Sequence, residues 1–189
     1  MVAGAVGLSA CGGSGGDGST KKTDAATPAT TPAATAPAAG GGAPSSAARK
    51  GVIREGDRIC RAARSRLVPL NNRANKAALS KDPALVYRRY TTISAQAAAV
   101  YAQTGTQLGA LQAAPADQSE IDRLSALLGQ TASIERQISA AAAAQNAARV
   151  QELVLQVNGV IAQFRSGAKA YGFHSCSSGG QTFKGRGNR

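Results

Sequence analysis

Between Val52 and Tyr171 the apolar side chains recur in steps of three and four, in four successive runs, and no stretch alternates with period two for long. Such spacing lays apolar groups along one side of an α-helix, whereas a half-buried strand needs strict alternation. The fold class expected is therefore all-α. In the first run Val52, Gly56, Ile59, Cys60, Ala63 and Leu67 share a face, and Pro69 is expected to end the helix. The second run, Val86, Tyr90, Ile93, Ala97, Val100, Thr104, Leu108 and Leu111, follows Asp82-Pro83. There a carboxylate can cap and proline suits the first helical position.

Pro115 breaks that pattern, and Asp117 with Glu120 three residues on reads as an Asp-type capping box for a third helix. Its buried face would be Ile121, Leu124, Leu128, Ile134, Ile138 and Ala142. A turn near Gln145-Asn146 leads to a fourth helix with Val150, Leu153, Val157, Ile161, Phe164, Ala168 and Tyr171 on one side and Gly172 as its stop. Short connections favour antiparallel neighbours, so the expected architecture is an antiparallel four-helix bundle over residues 49–178.

The flanks have no such pattern. Residues 11–48 are mostly Gly, Ala, Ser, Thr and Pro, which bury too little apolar surface to offset the entropy of ordering. This stretch is expected to be a disordered linker with a root-mean-square span on the order of 35 Å. Residues 179–189, Gly-spaced and basic, are expected to form a short disordered tail.

Three cysteines, Cys11, Cys60 and Cys176, are an odd number for a secreted chain. Residues 1–10 form a short apolar run, and Leu8-Ser9-Ala10-Cys11 resembles the lipobox of bacterial lipoproteins: an aliphatic residue, two small residues and a cysteine. The resemblance implies that the Cys11 thiol receives a diacylglycerol group and becomes the first residue after cleavage behind Ala10. Two or three acyl chains, palmitate among them, would hold the chain stably at a membrane where one would not. The run lacks a basic leader, which places the expected start of translation upstream of Met1. The address implied is the outer face of the bacterial cytoplasmic membrane.

Outside the cytoplasm thiols are normally oxidised. In an up-down-up-down bundle the first and last helices would be neighbours, with Cys60 on the core face of one and Cys176 just past the other. A Cys60–Cys176 disulfide is the expected pairing, and two buried thiols are the alternative. An early cysteine on the first helix, three further amphipathic helices and the closing Tyr171-Gly172-Phe173-x-x-Cys176 resemble small secreted helical proteins of uncharacterised function from high-GC Gram-positive bacteria. That resemblance covers residues 53–176 and brings no activity with it.

Groups for catalysis are few. His174 is the sole histidine, and with Cys176 it supplies at most two of the four ligands a structural zinc needs, so no metal or other cofactor is expected. Asp117, Glu120 and Asp122 cluster where a helix N-terminus favours carboxylates, and no enzyme is expected.

The charge is more informative. Of a net +12, residues 49–89 carry +9, with twelve Lys or Arg against Glu55, Asp57 and Asp82. Arg54, Arg58, Arg61, Arg64 and Arg66 line one side of the first helix, joined by Arg73, Lys76, Lys81, Arg88 and Arg89. Such a face suits anionic lipid head groups or acidic wall polymers, and it reads equally as a solvated Arg-rich surface. Nucleic acid is not expected, because no aromatic residues interleave with the charges. The function expected is a non-catalytic binding or scaffold module of the cell envelope. The alternative is a carrier that holds a small apolar ligand among the helices, where many Ala side chains leave room.

Overall fold

The computed structural model describes residues 46–178. Among them there is no strand, and the chain is all-α: α1 (Ser46–Ala78), α2 (Pro83–Gly109), α3 (Pro115–Ala143), α4 (Ala147–Tyr171) and the single turn α5 (His174–Ser177). The lipidation expected at Cys11, the leader, the linker as far as residue 45 and the tail 179–189 lie outside the described residues. α1 begins at Ser46, inside the last residues of the expected linker.

Several boundaries fall where the residues dictate. Asp82 Oδ1 accepts hydrogen bonds from the backbone N of Ala84 and Leu85 at 2.9 and 3.2 Å, with Pro83 opening the helix. Asn146 caps α4 through a 3.0 Å bond from Arg149 N. Gly172 stops α4 at φ 110°, a left-handed conformation that an L side chain resists.

Two expected boundaries are overturned. Pro69 does not end the first helix, which runs through it to Ala78. Pro69 is exposed, so the lost amide bond and displaced carbonyl face water. Beyond it Leu70 and Ala74 continue the buried stripe against Ile93 and Ala97. Burying that stripe outweighs the roughly 3 kcal/mol that an interior proline costs.

Nor do Asp117 and Glu120 form a capping box. Proline's preference for the first helical position starts α3 at Pro115, behind an Ala114 cap with no side-chain bond. Gln118 does the reaching back, its Oε1 accepting from Ala113 N at 3.0 Å. Asp117 instead lies 3.8 Å from Arg49, and Glu120 pairs with Arg123.

α1 packs on α2, α2 on α3, and α3 on α4. Polar bonds fix the register along each seam. Arg66 donates to Gln103 and Arg73 to Gln96; the Ser125 and Ser139 hydroxyls donate to the carbonyls of Gly105 and Thr91, both at 2.8 Å; Arg149 donates to Gln137. One buried cluster joins Leu108, Ile121, Leu124, Leu128 and Phe164 to the cysteines, and a second joins Ile134 and Ile138 to Leu153 and Val157.

The fourth seam is missing. Among the described residues no Cα of α1 comes within 8 Å of a Cα of α4, and α5 packs on both instead. The Cys60–Cys176 disulfide is present, with Cα atoms 5.1 Å apart. Cys60 lies on the buried side of α1 and Cys176 just past α4, as expected, but α5 packs on α1 and carries Cys176 to it, while the α1 and α4 backbones stay more than 8 Å apart.

Candidate functional site

α5 is a plug fixed from both sides. The Phe173 ring just before it is 1 % exposed and lies against the backbone of α1 at Gly56, where a Cβ would collide with the ring. Glycine is required there because two elements meet without room for a side chain. The next residue, buried Asp57, caps α5 from outside, its Oδ1 accepting from Ser175 N at 2.6 Å. Arg49 reaches over the end of α4, donating to the Tyr171 carbonyl at 3.2 Å and standing 4.9 Å from the centroid of its ring. The Tyr171 and Phe173 rings are in turn 4.8 Å apart. One end of the gap between α1 and α4 is thus closed by rings, a disulfide and a borrowed cap.

Past the plug the gap stays open as a cleft with a cavity of about 90 Å³. Ala63 and Leu67 wall it from α1, Ile161 and Phe164 from α4, while Tyr101 and Leu128 form the floor. The disulfide closes one end, and Arg64 and Arg165 contribute cationic edges from opposite walls. Asn158, also in the lining, has a buried Oδ1 with no hydrogen-bond partner.

Glu135 on α3 is fully buried, with neither carboxyl oxygen hydrogen-bonded. Burial pushes its pKa up to about 7; the Ser94 hydroxyl pulls the other way without completing a bond. Tyr101, across from it on α2, has its phenol pKa raised by burial and then by the Glu135 charge, with the Arg165 charge acting in the opposite sense. Near neutral pH the interior therefore holds a carboxyl group poised between its two forms. Such a group can carry a proton or respond to a ligand's charge. Among the described residues no three His, Cys, Asp or Glu side chains gather to hold a metal ion, and no helix is long and apolar enough to cross a membrane.

Arg54, Arg58, Arg61, Arg64, Arg66, Arg88 and Arg89 are all exposed, as a docking face requires. They do not form one uniform patch. Arg58 is paired with Glu55 at 2.9 Å, Arg61 donates to Ser175 on α5, and Arg66 is tied to Gln103 on α2. Arg64 alone of the seven lines the cleft. His174 is exposed, two residues from Cys176 of the disulfide.

Glu135, Asn158, Tyr101 and Arg165 escaped the sequence analysis. For Glu135 a signal existed: Leu128, Thr131, Glu135, Ile138 and Ala142 continue a three-and-four stripe with a carboxylate in its middle. For the others there was none, because only the failure of α1 and α4 to meet makes them line anything.

No family model matches the chain, and neither a curated protein nor a solved structure matches it.

Proposed function

We propose that this chain is a lipid-anchored, non-catalytic binding module of the outer face of a bacterial cytoplasmic membrane, an antiparallel four-helix bundle whose ligand enters between α1 and α4. One observation carries the reading: the gap between these helices is bridged by a disulfide-held plug at one end and left open, apolar and cation-edged beyond it. A packed core normally fills such a space. The seam bonds support the antiparallel order, since partners on α2 fall in number as those on α1 rise. The lipobox at Leu8-Ser9-Ala10-Cys11 supports the anchor.

The binding half is tested with a neutral apolar probe. Titration calorimetry of the oxidised chain with 1-octanol should give saturable binding that Ala63→Leu abolishes by filling the cleft. Heat that never saturates, or that survives Ala63→Leu, rejects the site. The anchor is tested by the intact mass of protein extracted from membranes. A mass without acyl chains rejects it.

A second reading concerns where the module docks, and the exposure of Arg54, Arg88 and Arg89 favours it. In that reading the outer side of α1 and the start of α2 lie on anionic lipid head groups or acidic wall polymers. Retention of the unacylated Cys11→Ala chain on anionic vesicles should then collapse between about 50 and about 500 mM salt, as the Debye length shortens. Salt-independent retention sinks it.

A further inference from the structure

We propose that the cleft between α1 and α4 is a site for a single-chain fatty carboxylate, bound chain-inward with its carboxylate between Arg64 and Arg165. The proposal rests on reading the cleft as the binding site and adds the chemical class of its ligand.

Charge decides first. The lining contains two guanidinium groups and no carboxylate, and the two stand on opposite walls, Arg64 on α1 and Arg165 on α4. An anion at the edge meets cationic donors from both sides, whereas a cation is repelled by both. Because no Cα of α1 lies within 8 Å of one of α4, such an anion would add a second polar bridge between these helices beside that of Arg49 on Tyr171.

The interior decides the rest. Leu67, Leu128, Ile161 and Phe164 offer only apolar surface. The Thr104 hydroxyl is already bonded to the Val100 carbonyl at 2.7 Å, so it adds no donor that a polar ligand could use. Asn71, Tyr101, Asn158, Ser175 and Ser178 are the other polar members of the lining, so the methylenes are placed against the four apolar side chains. The cavity, about 90 Å³, is smaller than the roughly 150 Å³ that admits a benzene ring, and it suits a short run of methylenes rather than a two-chain lipid.

The test is calorimetry on the oxidised full chain at low salt with three probes of equal chain length, all below micelle formation: octanoate, 1-octanol and octyltrimethylammonium. Octanoate should bind about tenfold tighter than octanol, and the cation should give no measurable binding. Arg64→Gln and Arg165→Gln should each weaken octanoate by about five- to tenfold while leaving octanol within about twofold. Octanol binding as tightly as octanoate, or octanoate indifferent to both substitutions, overturns the fatty carboxylate and leaves the cleft standing as a site. Failure of octanol and octanoate alike overturns the cleft as well. Should Arg165→Gln not fold, the exposed Arg64→Gln decides the matter alone.

Discussion

The seam between α2 and α3 and the gap between α1 and α4 are built from the same kinds of residue and end in opposite states. At the first, Gly105 lets the backbones approach so closely that a Cβ would stand 3.1 Å from the Ser125 carbonyl oxygen. The Ser125 hydroxyl completes the contact by donating to the Gly105 carbonyl. At the second, Ala63 of α1 faces Ile161 and Phe164 across open space. Small residues permit close packing only where nothing stands between the helices. Between α1 and α4 stands α5, and Phe173 with the disulfide holds the walls apart.

Breaking the plug should have the largest effect. A Cys60→Ser/Cys176→Ser double variant opens a ring with a sequence separation of 116, and chain entropy predicts a loss of up to about 4 to 5 kcal/mol in urea unfolding. A loss under about 1 kcal/mol would mean that α5 does not need its bond. Phe173→Ala should cost about 3 to 4 kcal/mol, because the ring is 1 % exposed and no nearby chain can refill its place against Gly56.

Next comes the buried carboxyl group of Glu135 on α3. Glu135 has a folded pKa of about 7 against 4.5 unfolded, so between those values the folded chain keeps a proton that the unfolded chain releases. The contribution of Glu135 to stability should therefore be full below about pH 4.5, fall by about 3 kcal/mol by pH 7 and flatten above it. Glu135→Gln should remove this slope, and a variant that keeps it would place the titration elsewhere.

The smallest effects sharpen the contrast most directly. Gly105→Leu, forced into the tight seam, should cost about 1 to 3 kcal/mol. Ala63→Leu adds comparable bulk to the cleft and should stay within about 0.5 kcal/mol of the parent. Equal losses at the two positions would show that the cleft is no more open than the seam.

The helices were legible because their signals are local. Asp82-Pro83, Asn146 and Gly172 act through their own backbone neighbours, and three-and-four spacing needs no knowledge of the rest of the chain. Pro69 was misread for the complementary reason. Its local cost is plain in the sequence, but the stripe of Leu70 and Ala74 that overrides it counts only once Ile93 and Ala97 are opposite. Asp117 failed likewise, its carboxylate being drawn to Arg49 from a distant helix rather than to its own backbone.

By itself the sequence determined the all-α class, four long helices, most of their ends and which faces are buried, since each follows from periodicity and caps within a few residues. The tertiary structure alone decided that α1 and α4 do not close on each other, that α5 carries Cys176 between them, and that Arg64 and Arg165 face one cleft. Those outcomes depend on residues more than a hundred positions apart, and no local spacing encodes the distance between two walls.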